Sequence, residues 1–380
     1  MTQQKLTELG DLENKLDLFS SFPYKHGHLH RRNWGHTLHS VCSYPSKIKP
    51  SIAHVLVTFF TEKGDTILDP FSGTGTIPLE ACLNSRHGIG SDLSPLAYHL
   101  TMAKVNPPTE ADVIERIKQL SAFLSQETLT EEDWSDVPEE IPSFYEERTL
   151  KEILKARKFF LEISKPDNIT SLLIASTAHL LHGNRPYALS RRSHNMFPIP
   201  PKGDFIYKSL INALIDKVKR VLSHSLPTDF TVGSAYSCSA NNIPLLQSTV
   251  DAIVTSPPFL GTTDFLRHNR IRLWFCGWNY EKQEKMKGEF LENTNSTEAY
   301  QPILKEFARL LKPNSLAIFH LGIVKNKDMA EEIVPIALDA GFDRIRVINE
   351  DTSKMESYGR TDRGSTRKHQ FLFLKRQANI

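Results

Sequence analysis

Residues 64–92, GDTILDPFSGTGTIPLEACLNSRHGIGSD, constrain the fold of this chain more than any other stretch. A short apolar run ends in Asp69, a Gly-rich loop follows, an apolar helical segment comes next, and a second short run ends in Asp92. Strand, loop, helix and strand in that order form the building block of a parallel α/β sheet. Gly73 and Gly75 let the loop backbone approach a ligand closely, and the helix that starts there offers unpaired N–H groups.

The same residues narrow the choice of ligand. A dinucleotide fingerprint needs a third glycine where Pro78 stands, and the Gly-Lys-Ser/Thr of a nucleotide-triphosphate loop is missing. Asp69 is unsuitable beside a pyrophosphate but suits a cofactor with a cationic amino-acid tail. Asp92 is placed to accept hydrogen bonds from a ribose diol, by the logic of the dinucleotide fold. An adenosyl sulfonium cofactor meets both conditions.

Downstream the rhythm changes. Between 108 and 228, EADVIERIKQLSAFLSQ, ERTLKEILKARKFFLEI, NITSLLIASTAHLLHG and DFIYKSLINALIDKVKRVLSH all place apolar residues at helical spacing. This reads as a mostly helical insertion with an acidic linker, since nine acids and no Lys or Arg lie between Glu127 and Glu147. The sheet pattern resumes at DFTVGSA and VDAIVTSPPF and continues to the final strand, HQFLFLKR. Upstream, SIAHVLVTFFTE reads as a helix capped by Ser51, and residues 1–50 read as irregular. With 39% hydrophobic and 24% charged residues the composition is that of an ordinary soluble globular protein, and a net charge of +2 excludes a polycation. No apolar run is long enough to span a bilayer, and MTQQKLTELG holds no apolar signal core. A cytoplasmic protein with no membrane partner is expected. Four scattered cysteines without a CxxC argue against both a zinc site and a disulfide framework.

Directly after VDAIV stands TSPPF, residues 255–259. Two consecutive prolines cannot donate to a sheet ladder, so the strand stops there in a rigid step tipped by an aromatic ring. With this step the sequence resembles an S-adenosylmethionine-dependent amino-methyltransferase acting on DNA bases. YPSKIKPSIAHVLVTFFTEKGDTILDPFSGTGTIPLEA resembles the Lys-Pro helix and cofactor loop of that family, and GIGSDLSPLA its ribose-binding strand end. TVGSAYSCSANNIPLLQSTVDAIVTSPPF resembles its adenine-contacting strand followed by the catalytic tetrapeptide, and RLLKPNSLAIFHLG a later strand. The resemblance covers about 51–105 and 229–380.

It implies a class I, Rossmann-like α/β methyltransferase fold with a mostly parallel central sheet, a catalytic domain at 51–107 and 229–380, and a helical insertion at 108–228 that reads the target. Residues 1–50 would close over the cofactor pocket and touch DNA. S-adenosylmethionine would be held by Tyr44, Lys49, Pro50, Asp69, Pro70, Phe71, Ser72, Gly73, Gly75, Thr76, Asp92, Leu93, Ser234 and Ala235. Catalysis would fall to Ser256, Pro257, Pro258 and Phe259. An exocyclic amino nitrogen is a weak nucleophile because its lone pair is delocalised into the ring. By resemblance, Ser256 Oγ and the Pro257 carbonyl accept its two N–H groups and localise that lone pair, while Phe259 stacks the flipped base.

Ser at the first clamp position points to cytosine N4, with adenine N6 as the alternative and guanosine N2 in RNA as a third reading. No Pro-Cys dipeptide supports a C5-cytosine enzyme. Double-stranded DNA is the expected partner, and a cognate restriction endonuclease a candidate one. Arg185, Arg191 and Arg192 in RPYALSRRSH, together with Arg270 in RHNRIR, are the candidate DNA contacts. YGRTDRGSTRKH, 358–369, is a further basic stretch suited either to a nucleic-acid backbone or to a solvated loop. The histidines at 26, 28, 30, 36 and 39 have no Cys, Asp or Glu among them to complete a metal site, and no metal is expected.

Overall fold

The computed structural model describes residues 3–22, 27–31, 34–194, 197–261, 263–294, 296–324, 327–351, 356–357, 360–361 and 368–378. The basic stretch at 358–369 therefore lies largely outside the described residues.

Seven strands form the main sheet: β1 (Thr66–Asp69), β2 (His87–Asp92), β3 (Ser234–Ser237), β4 (Val250–Thr255), β5 (Leu311–Val324), β6 (Phe342–Asp351) and β7 (Lys368–Arg376). Their spatial order is β3-β2-β1-β4-β5-β7-β6, with Lys327–Asp328 pairing on the end of β5. β3, β2, β1, β4 and β5 run parallel, and β7 runs antiparallel to both of its neighbours. This is an α/β fold with a mostly parallel central sheet, the arrangement the resemblance implied.

Alternation along the strands feeds two cores. Ile67, Ala252, Val254 and Ile318 face one way, against helices α1 (Gln3–Ser21), α2 (Pro50–Phe60) and α3 (Thr76–Leu83). Leu68, Ile253, Ala317 and Phe319 face the other way, against two later helices, Tyr300–Leu310 and Met329–Asp339. Both faces are covered, which is why these strands read as nearly continuous apolar runs. A third core joins α4 (Pro95–Val105) to the long insertion helices α5 (Glu110–Gln126), α6 (Glu147–Leu161), α7 (Asn168–Leu180) and α8 (Leu210–Val221), and to α9 (Phe265–Phe275) just beyond the clamp. Among the described residues, the only strand pairing within 108–228 is a pair of isolated bridges, Gly183 with Arg192 and Arg192 with Lys202.

Three readings of the sequence need correction. Residues 1–50 are not wholly irregular, because α1 occupies Gln3–Ser21. Leu12, Leu16 and Phe19 share one face at helical spacing, and the buried Phe19 meets Phe60, Phe371 and Phe373 edge-on. Ser51 does not cap α2; Lys49 takes the cap position and Pro50 the first turn, where a missing N–H costs nothing. The strand expected at DFTVGSA begins only at Ser234.

Candidate active site

The C-terminal ends of β1, β2 and β4 open into one cavity of about 330 Å³. Ligands of open α/β sheets bind outside the carboxyl ends of the strands, so the topology alone directs attention here. Lining residues from the sequence reading are Tyr44, Asp69, Pro70, Phe71, Ser72, Gly73, Thr76, Asp92, Leu93, Ser256 and Pro258. Lys49, Pro50, Gly75, Ser234, Ala235, Pro257 and Phe259 do not line it.

Local chemistry holds the loop in place. Asp69 Oδ1 accepts from the Phe71 N–H at 3.2 Å and from Thr255 Oγ1 at 2.7 Å, which ties the loop to the residue before the clamp. Asp92 accepts from the Gly73 N–H and the Ser94 N–H, each at 2.9 Å. Behind the loop, the fully buried Lys104 donates to the Thr74 carbonyl at 2.5 Å. The two glycines do different work. Gly73, at φ +48°, has no atom within 3.6 Å of where a Cβ would sit, the nearest being Tyr44 Cε1 at 3.7 Å. Gly75, at φ +67°, faces α4, where a Cβ would meet the Thr101 backbone at 2.8 Å. Gly75 is thus a packing residue rather than a cavity residue.

Among the described residues, three acids share the cavity without a cationic side chain hydrogen-bonded to them. Burial pushes Asp69 up to about 7, with bonds from Thr255 and Phe71 opposing it. Burial likewise raises Asp92 to about 6 and Glu292 to about 8. Glu292 lines the cavity and its buried Oε1 has no hydrogen-bond partner. A cationic ligand bearing several hydrogen-bond donors relieves such a set, and an adenosyl cofactor with an ammonium tail is one. The residues present therefore fit S-adenosylmethionine.

On the far wall, β4 ends at Thr255 and the clamp begins. Ser256 and Pro258 reach the cavity, whereas Pro257 is buried behind them. Phe259 turns away; its ring lies 5.7 Å from His369 and 6.2 Å from His320. Phe259, read as the ring that stacks a flipped base, thus lies outside the cavity lining. In the cavity lining Tyr44 stacks on Phe265, with centroids 5.7 Å apart and planes at 28°.

Sequence reasoning missed Phe265, Glu292 and the segment Ser239–Asn241, all in the lining. The last follows from the late start of β3, since the strand end falls past Ser237 rather than at Ser234 and Ala235. The carboxylate missing among the N-terminal histidines comes from Glu80, whose two oxygens bond His39 at 2.6 Å and His54 at 3.0 Å and latch the segment onto α3.

The arginines do not converge on this cavity. Arg191 bonds the Gly203 and Ser143 carbonyls and lies over the Phe205 ring. Arg270 lies over Tyr280 and pairs with Glu140 at 3.7 Å. The side chains of Arg185 and Arg192 are exposed.

Residues 39–123 match the family model described as RMKL-like, methyltransferase domain. That segment carries Tyr44, the glycine loop and Asp92, so the methyltransferase-domain match falls on the residues whose chemistry fits S-adenosylmethionine. The Type II methyltransferase M.BsoBI of Geobacillus stearothermophilus is 22% identical over 309 residues, which is 73% of this chain. The chain spans 60% of that protein's length. Among solved structures, the rRNA methyltransferase aviRa of Streptomyces viridochromogenes is 11% identical with a TM-score of 0.38, over 92% of this chain and 96% of that one. A SAM-dependent methyltransferase of Methanosarcina mazei is 10% identical with a TM-score of 0.37, over 85% and 97%. No described helix is long and apolar enough to cross a membrane.

Proposed function

We propose that this methyltransferase transfers the methyl group of S-adenosylmethionine to the exocyclic N4 of cytosine in double-stranded DNA. One observation carries the reading: the acid-lined loop of β1 and the Ser-Pro-Pro step of β4 face the same cavity from adjacent strands. When bound, the cofactor supplies an electrophilic methyl group. Asp69, Asp92 and Glu292 bind and orient it. Ser256 accepts an amino N–H of the base, while the prolines stiffen the backbone so that the Pro257 carbonyl is aimed in advance. Once methylated, the nitrogen is cationic and its proton is acidic, so no strong general base is needed. The base must leave the duplex to reach a cavity at the strand ends. By resemblance Phe259 stacks on it, and Tyr44 and Phe265 offer further rings in the cavity lining.

The choice of N4 over adenine N6 rests on Ser256, and a DNA substrate on the clamp's resemblance and on the Type II methyltransferase relative. A cognate restriction endonuclease belongs to the same reading, as do DNA contacts from Arg185 and Arg192. The test is mass spectrometry of nucleosides from DNA and from RNA incubated with the chain and isotopically labelled cofactor. N4-methylcytosine in DNA alone is expected. N6-methyladenine alone, or label only in RNA, would defeat the assignment.

A further inference from the structure

Three neighbouring strands bring two imidazoles and a carboxylate together beside the clamp. His320 stands on β5, His369 on β7 and Glu350 on β6, and the register sets Glu350 directly opposite His369. His320 Nε2 lies 3.1 Å from His369 Nδ1. Glu350 Oε2 lies 3.8 Å from the first nitrogen and 3.6 Å from the second. That oxygen is nearly equidistant from the two ring nitrogens. Zinc bonds of about 2.0–2.2 Å set the ligand atoms of a tetrahedral site about 3.3–3.6 Å apart. The observed triangle brackets that spacing. His320 is 5% exposed and Glu350 is 2% exposed, and the rings of Phe371 and Phe259 lie against the histidines. No other group of three metal-ligating side chains converges in this way among the described residues.

We propose that His320, Glu350 and His369 form a binding site for one divalent transition-metal ion, with zinc the best match to two imidazoles and a carboxylate. His320 would ligate through Nε2. Its Nδ1 then carries the hydrogen and donates to Ser256 Oγ, 3.2 Å away, as the second nitrogen of a metal-bound histidine commonly does. The ion would fix the tautomer of the ring behind the clamp and fasten the end of β6 and the start of β7 to β5. Positions 320, 350 and 369 are too far apart in sequence to form a spacing motif, which is why neither the cysteines nor the N-terminal histidines pointed to the site.

The full chain, stripped with a chelator, is titrated with Zn(II) by calorimetry and with Co(II) by visible absorption. One equivalent should bind, and the cobalt form should show the intense bands of a tetrahedral site. His369→Ala and Glu350→Gln should each weaken binding more than about tenfold, whereas His28→Ala and His36→Ala should leave it unchanged. Binding of S-adenosylhomocysteine by each variant checks that the fold is retained. The proposal is overturned if the wild-type chain binds neither ion at micromolar concentration, or if binding survives both His369→Ala and Glu350→Gln. Substrate identity does not enter the measurement, so an error in the proposed reaction would leave this result standing.

Discussion

The cavity at the strand ends and the loop at 182–207 use charge in opposite ways. In the cavity, Asp69, Asp92 and Glu292 are buried, hydrogen-bonded mainly to backbone or hydroxyl groups, and lifted well above the ordinary carboxylate range. At the loop, Arg191 and the adjoining Lys208 serve the loop itself. Arg191 bonds two carbonyls and covers Phe205, and Lys208 donates to the Ala188 and Ser190 carbonyls. The first pattern leaves electrostatic strain that a cationic ligand removes. The second removes it internally. Charged residues in a sequence therefore mark a binding site only where the fold withholds their partners.

The contrast breaks most sharply at the two loop glycines. Gly73→Val places a β-branched side chain at φ +48° on the cavity side, and should abolish binding of S-adenosylhomocysteine in calorimetry while the thermal melt stays cooperative. Gly75→Val should fail earlier, at folding, because its side chain meets the Thr101 backbone. Equal cofactor binding by wild type and Gly73→Val would remove this loop from the site. A smaller loss is expected of Asp69→Ala. Removing a charged hydrogen-bond partner costs about 1.5–3 kcal/mol, a ten- to hundredfold weakening.

Acidity sharpens the same point. Burial raises Asp69 to about 7 and Asp92 to about 6 in the ligand-free chain. A bound ammonium lowers Asp69 and hydrogen bonds from the ribose lower Asp92, so the free protein holds more protons than the complex. Affinity should therefore be flat above about pH 7 and fall as the pH drops through 7 and then 6. Glu292, raised to about 8, extends the slope upward if it also meets the cation. Calorimetry in buffers of different ionisation enthalpy counts the protons released on binding. Affinity that rises on acidification would contradict the assignment, and Asp69→Asn should flatten the upper part of the curve.

How far the sequence could be read follows from the same physics. The β1–loop–β2 unit was legible because strand, glycines and strand-end acids lie within about thirty residues, so local geometry places them together. Ser256 and Pro258 were legible because two prolines admit few conformations. Glu292 and Phe265 were not, since only long-range packing folds their segment over the cavity, and no local pattern distinguishes them from surface residues. An aromatic after Pro-Pro reads as a plate for a flipped base, and the structure sets the Phe259 ring beside His320 and His369. Helix α1 carried its signal openly in Leu12, Leu16 and Phe19, but the His- and Tyr-rich segment behind it obscured the spacing.

The smallest effects come from the arginines, and they separate the two uses of charge within one dipeptide. Arg191 is built into the loop, so Arg191→Ala should cost stability, on the order of 1–3 kcal/mol for its hydrogen bonds and its contact with Phe205. Any change in DNA binding would then follow from a disturbed loop. Arg192 takes part in the bridges only through its backbone, and its side chain is exposed. Arg192→Ala should melt like the wild type and bind S-adenosylhomocysteine equally well, yet bind duplex DNA several-fold more weakly. If the side chain meets a phosphate, the loss is uniform across sequences and the slope of log affinity against log salt falls by about 0.9. If it reads guanine, discrimination drops by about 1–3 kcal/mol at a subset of sites and the salt slope changes little. Fluorescence anisotropy at two salt concentrations, combined with methylation-site profiling of a plasmid, distinguishes these outcomes. An Arg192→Ala chain indistinguishable from wild type in both would remove this loop from the DNA-binding surface and direct the search to the segment that carries Phe265 and Glu292.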